Sequence, residues 1–204
     1  MGEPRATPRC LGLTGGIGAG KSTALAAFAA AGAATQSSDQ VVHDLYLDPE
    51  VIAAVRERFG GEVIDPDGTV DRGRLGTLAF AQEGGVSLLE RLLHPRIGPA
   101  RDRWIGRQRA LPAPPPLLVC EVPLLFESGL ADGFDAVLVV TAGEQLRRRR
   151  VQERGQDFDA RAARQWSEAD KIAAADEVFE NDGSLNDLHE WVADVVRRYA
   201  RPTA

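Results

Sequence analysis

The chain has 204 residues, of which 44% are hydrophobic and 26% charged, as expected for a globular protein able to bury a core. Its formal charge of -6 disfavours a general nucleic-acid binder, because such proteins carry a basic excess. No stretch resembles a signal peptide or reaches the ~18 apolar residues of a membrane helix, so we expect a cytoplasmic protein that binds neither nucleic acid nor membranes.

The first predicted elements are a strand, a glycine loop and a helix. The apolar residues 10–14 (CLGLT) predict a short buried strand, and KSTALAAFAAA after the loop predicts a helix that Gly32 can end. A second short strand is predicted over residues 33–38, just before Asp39. This order of elements is the start of an α/β unit.

The middle of the chain has a mostly helical pattern. Apolar residues recur at helical spacing in VIAAVRERF and VSLLERLLH, and the segment IDPDG between them predicts a turn. We expect the second of these helices to end near His94, because Pro95 follows it.

The last third alternates strands and helices again. After the proline-rich LPAPPP, LLVCEVP and residues 136–140 (AVLVV) predict strands buried on both faces. An arginine-rich helix, a polar helical region near 157–176, the strand EVFE and the turn NDGS follow. The last helix has Ser184 as its expected N-cap with Asp187 three residues on. Its expected apolar face consists of Leu185, Leu188, Val192, Val195 and Tyr199.

These elements predict an α/β fold in which a parallel sheet is flanked by helices. The predicted nucleotide-binding core comprises residues 9–39, 112–144 and 177–204. Residues 40–111 are expected to form a helical substrate-binding insert, and residues 145–176 a small helical lid. Insertions of this kind are where specificity is usually built.

The glycine loop carries the strongest chemical signal in the chain. Gly15, Gly20, Lys21 and Ser22 satisfy G-x-x-x-x-G-K-[ST], the loop that wraps nucleotide phosphates between a strand and a helix. Its glycines let backbone N–H groups converge on phosphate oxygens, its lysine reaches the β and γ phosphates, and its serine hydroxyl is a Mg²⁺ ligand. The predicted ATP-binding residues here are Gly15, Gly16, Ile17, Gly18, Ala19, Gly20, Lys21, Ser22 and Thr23. Only two of the 24 basic residues are lysines, Lys21 and Lys171, and one lies in this loop.

An acid, Asp39, follows the second predicted strand. Ligands of open α/β sheets bind at the carboxyl ends of the strands, so we expect Asp39 to face the same crevice as the loop. A carboxylate there has three possible roles: accepting the proton of an attacking hydroxyl, helping to place Mg²⁺, or capping the helix QVVHDLY. Sequence position leaves all three open.

The chain resembles the dephospho-CoA kinases, a family with a P-loop kinase-like fold. The shared segments run nearly end to end and are combined at characteristic separations. They are GLTGGIGAGKST, DGTVDRGRL (67–75), LLHPRI (92–97), EVPLLFESGL (121–130), RAARQ (161–165) and ADEVFENDGS (175–184). The family's Asp-Ala-Asp is represented by its second acid, Asp39, whereas Ser37 stands where the first acid belongs. The chain between Arg154 and Gln165 is also about one helical turn shorter than in the family, ~4 residues.

The resemblance implies ATP-dependent phosphorylation of the ribose 3′-hydroxyl of dephospho-CoA, with Mg²⁺ as cofactor. It makes Asp39 the catalytic base, with Lys21 and Arg154 acting on the phosphates, and it places Asn181 beside the adenine of ATP. The expected substrate-binding residues, besides Asp39, are Arg72, His94, Pro123, Leu124 and Glu127. We expect a monomer or a weak homo-oligomer.

The arginine-rich helix and Glu121 each allow two interpretations. Most of the cluster Arg147–Arg150 and Arg154 is expected to be a solvated helix face, with one or two guanidinium groups forming a lid over the transferring phosphoryl. We expect Arg154 to be the first of these, with Arg150 and Arg161 as alternatives. Glu121 interrupts an apolar run and needs a partner, so it either orients Mg²⁺-bound water or substrate, or pairs with an arginine.

Other nucleotide-binding proteins are the rival interpretations. A GTPase switch should carry N-K-x-D, but neither lysine of this chain follows an asparagine. A kinase of another metabolite stays open on chemistry alone. A nucleotide sensor without catalysis would be expected to have lost Lys21 or Asp39, and both are present, but the uncharged Ser37 leaves this interpretation open.

Overall fold

The structure is a computed structural model, and it describes residues 7–200. The prediction that the chain has no signal peptide partly concerns residues outside this range. Residues 201–204, the end of the predicted core, also lie outside it. The chain divides into two compact units. One contains the residues up to Ser37 and those from Ile105 onward, and the other contains Ser38–Trp104.

The first unit is built on a five-stranded sheet in which every neighbouring pair is parallel. Its strands lie in the order β2-β3-β1-β4-β5. Their bounds are β1 (Arg9–Thr14), β2 (Ala34–Ser37), β3 (Leu117–Glu121), β4 (Ala136–Thr141) and β5 (Glu177–Glu180). The predicted parallel sheet is therefore confirmed, and its central strands are almost fully buried because helices cover both faces.

Two helices of this unit, α1 (Lys21–Ala30) and α9 (Leu185–Tyr199), share one apolar cluster with the strands. Phe28 of α1 packs edge-on against Trp191 of α9, with ring centroids 5.7 Å apart. The capping box of Ser184 and Asp187 is present as predicted. The prediction that Leu185 lies on the buried face is wrong, because the residue is 61% exposed. It is the first residue of the helix, and the apolar cluster begins only one turn later, at Leu188.

Cys10 and Cys120 lie on the adjacent strands β1 and β3, and both are buried. Their sulfur atoms are 3.8 Å apart and form no disulfide.

The second unit is helical and has a core of its own. It contains α2 (Ser38–Leu45), α3 (Pro49–Phe59), α4 (Arg72–Ala81) and most of α5 (Gly85–Arg109). Apolar side chains from all four helices, among them Val41, Val55, Leu75 and Leu93, form this core. The predicted turn is present, with the Gly68 N–H donating to the Asp65 carbonyl at 2.9 Å.

The predicted end of a helix at His94 is wrong, because α5 continues through Pro95 and Pro99 to Arg109. A proline inside a helix removes one N–H donor but its fixed φ remains helical. Here the two prolines are four residues apart, so they lie on one side of the helix.

Three further helices lie between β4 and β5 in the predicted lid region. They are α6 (Glu144–Gln152), α7 (Phe158–Ala162) and α8 (Glu168–Ala173). We call residues 144–173 the lid segment. Over residues 7–200, no helix is both long enough and apolar enough to cross a membrane.

Candidate active site

The glycine loop between β1 and α1 has the backbone geometry of a phosphate cradle. Gly15, Gly18 and Gly20 all have positive φ, at 147°, 77° and 103°. A Cβ atom on Gly15 would lie 2.0 Å from the Val140 carbonyl oxygen, and one on Gly20 would lie 2.2 Å from Asn181 Nδ2. Both positions therefore require glycine, for conformation and for space.

Lys21 folds back over this loop from the first position of α1. Its Nζ donates to the carbonyl oxygens of Gly15 at 3.0 Å and Gly16 at 3.1 Å. Burial lowers the pKa of Lys21, whereas the negative charge of Glu121 acts to raise it. The nearby positive charges of Lys171, Arg147 and Arg154 lower it further. An arriving phosphate would relieve this accumulation of positive charge.

Asn181 and Arg150 brace the loop from its other side. Asn181 is buried, and its Nδ2 donates to the Ala19 carbonyl at 2.8 Å. The Arg150 guanidinium donates to the carbonyls of Gly18 at 3.3 Å and Asn181 at 3.2 Å. Arg150 thus holds loop carbonyls in this structure, and the predicted contact of Asn181 with ATP stays a prediction.

The lid arginines differ sharply in their surroundings. Arg147 is buried, against the expectation of a solvated face, because it donates to the Ala142 carbonyl at 2.9 Å and pairs with Glu168 at 2.8 Å. Arg148 is exposed and pairs with Glu144 and Asp159. Arg154 is exposed, and its guanidinium makes no hydrogen bond or ion pair within residues 7–200.

The carboxyl ends of three strands meet at one edge of the sheet. Leu13 of β1 is the register partner of Glu121 of β3, and Glu121 is in turn the register partner of Ser37 of β2. The glycine loop leaves β1 just beyond Leu13, and the chain reaches Asp39 two residues beyond Ser37. Glu121, on the strand between β1 and β2, acts electrostatically on Lys21.

Asp39 itself belongs to the helical unit, where it is exposed in the first turn of α2. It is the second residue of the helix, so the interpretation of Asp39 as a cap preceding the helix is wrong. The prediction that it faces Lys21 stays a prediction.

The other predicted substrate residues of the helical unit are also exposed. Arg72 is exposed on α4, and its Nη1 atom lies 3.1 Å from the Nδ1 atom of His43. His94 is exposed on α5. Arg74 pairs with Asp71 and Asp65 in contacts within its own unit, which leaves Arg72 the better candidate for binding an anion.

The segment after β3 contacts the lid segment. The Glu127 carboxylate accepts hydrogen bonds from Lys171 Nζ at 2.6 Å and from the Trp166 backbone N–H at 2.7 Å. Burial acts to raise the pKa of Glu127, but these hydrogen bonds outweigh it and lower the pKa below its ordinary value. The carboxylate is therefore ionised at neutral pH, as an ion pair with Lys171 requires.

The structure brings two further residues into this region that the sequence analysis does not predict as site residues, Lys171 and Gln165. Lys171 is only 1% exposed, so the second lysine of the chain is buried as completely as a core leucine. Gln165 connects the lid segment to the phosphate loop, with its Oε1 accepting from the Ile17 N–H at 3.0 Å. The rarity of lysine in this chain marks Lys171 as unusual. Nothing in the sequence indicates that Gln165 contacts the Ile17 N–H.

The Lys171→Met variant is expected to lose roughly 3–5 kcal/mol of stability, because removal of one partner leaves the Glu127 charge poorly compensated. Thermal unfolding should show this as a midpoint lowered by roughly 6–20 °C. The matched control is Arg149→Met, since Arg149 and Glu153 form an exposed pair at 4.0 Å and such pairs contribute at most ~1 kcal/mol. Equal midpoints for the two variants would contradict a stabilising role for the buried pair.

Comparisons with known proteins agree on one family. The family profile described as dephospho-CoA kinase matches residues 9–187. The chain is 39% identical to the dephospho-CoA kinase of Frankia casuarinae, over 95% of this chain and 87% of that protein. It is 38% identical to the one from Streptomyces avermitilis, over 91% of each chain.

Solved structures give the same fold. The crystal structure of TT1252 from Thermus thermophilus superposes with a TM-score of 0.72 at 31% identity, covering 96% of this chain and all of that one. The dephospho-CoA kinase from Campylobacter jejuni superposes with a TM-score of 0.66 at 21% identity, covering 97% of this chain and all of that one.

Proposed function

The chain belongs to the dephospho-CoA kinase family, and from that premise we propose how it carries out the ATP-dependent phosphorylation of dephospho-CoA. The γ-phosphoryl group passes to the ribose 3′-hydroxyl of dephospho-CoA, which gives coenzyme A and ADP. This is the last step of coenzyme A biosynthesis.

The observation that carries the proposal is the row of register partners Leu13, Glu121 and Ser37. Since the strands are parallel, the chain segments that follow them leave from the same edge of the sheet. One segment is the phosphate loop and another leads into Asp39. This common edge supports the proposal that Asp39 accepts a proton when ATP is bound in the loop.

On the ATP side, we propose that the residues from Gly15 to Thr23 wrap the phosphates, with Lys21 on the β and γ groups and Asn181 at the nucleoside end. Arg154 is the proposed lid donor because its guanidinium has no partner within the described residues, whereas Arg147 and Arg150 are already engaged. A planar guanidinium suits the oxygens of a transferring phosphoryl group.

The residues present fit Mg²⁺ as the cofactor. Kinase magnesium sites use one or two protein oxygens and complete the shell with water and substrate phosphates. Ser22, exposed in the first turn of α1, and Glu121 at the strand edge would supply such oxygens, and no group of three acidic, histidine or cysteine side chains suited to a metal occurs within residues 7–200. When bound, Mg²⁺ neutralises the charge on the β and γ phosphates.

On the acceptor side, we propose that dephospho-CoA is held by Arg72 and His94 of the helical unit and by Pro123, Leu124 and Glu127. Arg72 is suited to the diphosphate of the substrate because it is exposed and has no carboxylate partner among the described residues. The second carboxylate oxygen of Glu127 is buried and makes no hydrogen bond within those residues.

In the proposed mechanism the 3′-oxygen attacks the γ-phosphorus in line with the leaving ADP. Asp39 accepts the hydroxyl proton, while Lys21 and Arg154 stabilise the charge on the transferring group. Ser37 carries no charge, so the first acid of the family's Asp-Ala-Asp pattern is missing from this chain. A cytoplasmic location and a monomeric or weakly oligomeric state stay predictions.

An assay of ADP release across several hydroxyl acceptors tests this function. We expect rapid turnover with dephospho-CoA and little with adenosine, AMP or shikimate, because only dephospho-CoA fills both the diphosphate and the ribose positions. Far better turnover with one of the other three acceptors would overturn the proposed substrate and leave a P-loop kinase of a different metabolite.

A further inference from the structure

Two short stretches that are about 40 residues apart in sequence lie against each other beside the phosphate loop. Residues 123–127 (PLLFE) follow β3, and residues 165–171 (QWSEADK) lie near the C-terminal end of the lid segment. Their contacts include two hydrogen bonds to Glu127, described above, and a ring stack. The stacked rings are Phe126 and Trp166, with centroids 5.5 Å apart and planes 13° from parallel. We call this set of contacts the clasp.

Gln165 extends the clasp to the phosphate loop. Its Oε1 accepts from the Ile17 N–H at 3.0 Å, and its Nε2 donates to the Pro123 carbonyl at 3.4 Å. A backbone N–H only donates and a carbonyl oxygen only accepts, so these partners fix which end of the amide faces which residue. One side chain therefore joins the lid segment, the loop and the segment after β3.

The loop is closely packed against the lid segment at this point. A Cβ atom on Gly16 would lie 2.8 Å from Arg147 Nη1, and one on Gly18 would lie 2.6 Å from the Arg147 carbonyl oxygen. A cavity of about 240 Å³ borders Gly16, Arg147 and Gln165. Because the N–H groups of such loops bind phosphate, a side chain that holds the Ile17 peptide fixes the orientation of a group next to the reacting nucleotide.

The clasp does not depend on Gln165. The buried Lys171–Glu127 pair and the Phe126–Trp166 stack hold the two stretches together without it. Loss of Gln165 alone should consequently leave the fold intact while freeing the Ile17 peptide.

We propose that Gln165 is a positioning residue for phosphoryl transfer, which acts through the Ile17 peptide to direct ATP toward the bound alcohol and away from water. This inference rests on the proposed function. In both reactions the bond between the γ-phosphorus and the bridging oxygen breaks and ADP leaves. In transfer the new P–O bond forms to the ribose 3′-oxygen, whose proton goes to Asp39. In the wasteful reaction the new bond forms to a water oxygen, whose proton goes to solvent, and inorganic phosphate is released.

The test compares two rates in purified full-length protein with ATP and Mg²⁺: formation of coenzyme A and release of inorganic phosphate. For Gln165→Ala we expect the ratio of hydrolysis to transfer to rise about tenfold or more, mainly through a lower kcat for transfer. The KM for dephospho-CoA should change by less than about threefold, because Gln165 is not a substrate ligand. The midpoint of thermal unfolding should fall by no more than about 4 °C.

Gln165→Glu provides a second, independent variant. Its carboxylate still accepts from the Ile17 N–H but cannot donate to Pro123, and it brings a negative charge near the phosphates. We expect its ratio of hydrolysis to transfer to lie closer to wild type than that of Gln165→Ala, with a raised KM for ATP. Gln156→Ala is the matched control, because Gln156 is an exposed glutamine of the same lid segment, and it should match wild type in every measurement.

An unchanged ratio of hydrolysis to transfer in Gln165→Ala overturns the inference, whether or not kcat falls. If Gln165→Ala does not fold, the test rests on Gln165→Glu, which keeps the Ile17 contact. A ratio of hydrolysis to transfer in Gln165→Glu that is about tenfold above wild type then overturns the inference. The proposed function is decided separately by wild type. If wild type uses another acceptor, the proposed function fails and the ratio measured with that acceptor still decides the role of Gln165.

Discussion

The Asp39→Asn variant is expected to lose about 10²–10⁴-fold in kcat with dephospho-CoA, the usual contribution of a positioned general base. The amide has nearly the shape of the carboxylate but cannot take the proton of the 3′-hydroxyl at neutral pH. The KM for ATP should be almost unchanged, because the proposed ATP contacts come from the other unit of the chain. Steady-state ADP release at saturating ATP measures both quantities.

Asp44→Asn is the matched control for this substitution. Asp44 is exposed on the same helix, α2, and accepts a hydrogen bond from Gln40 at 2.7 Å. We expect this variant to keep wild-type turnover. Turnover of Asp39→Asn within about threefold of wild type would show that a different group, or water, takes the proton.

The Lys21→Met variant is expected to lose about 10²–10³-fold in kcat. This is the usual effect of removing one preorganised hydrogen-bond donor that stabilises a transition state. Lys21 supplies the only ammonium group of the phosphate loop, and the methionine fills a similar volume without charge. Its KM for ATP should also rise, since the same ammonium binds the ground-state phosphates. Activity within tenfold of wild type would contradict the role of Lys21 in transfer.

The lowered pKa of Lys21 adds a pH dependence to this prediction. Burial favours the neutral amine, so Lys21 loses its proton at a lower pH than an ordinary lysine does. Bound phosphate favours the charged form, so binding must take up a proton once the amine is neutral. ATP affinity should therefore fall as pH rises above the lowered pKa, by up to about tenfold per pH unit. Titration calorimetry in buffers of different ionisation enthalpy measures the proton uptake. Lys21→Arg should bind ATP with no such dependence, because arginine stays charged.

The parts of the fold that the sequence predicts well are those with local causes. The phosphate loop follows from glycines whose positive φ and close packing admit no other residue, as at Gly15 and Gly20. The buried strands follow from uninterrupted apolar runs, and the start of α9 follows from the reciprocal bonds of Ser184 and Asp187.

The helical insert shows where local rules fail. Pro95 suggested a helix end, yet α5 continues because packing of Leu93 and neighbouring apolar residues into the core outweighs the lost hydrogen bond. Leu185 has the spacing of a buried residue, but the core begins one turn further along the helix. Both outcomes depend on tertiary packing that a spacing rule does not contain.

The contacts that organise the lid segment could not be predicted because their partners are distant in sequence. Gln165 binds a backbone N–H 148 residues away, and Lys171 pairs with a carboxylate 44 residues away. The segment RAARQ contains Gln165 and the segment EVPLLFESGL contains Glu127, but a sequence motif does not state which side chains touch each other. Only the folded chain relates one motif to the other.

A structure of the protein with dephospho-CoA and a non-hydrolysable ATP analogue tests the central claim most directly. We predict that the ribose 3′-oxygen lies within about 3 Å of the Asp39 carboxylate and in line with the γ-phosphorus, with Lys21 Nζ on the opposite flank of the phosphates. A ternary complex in which Asp39 and Lys21 face separate ligands would contradict the account.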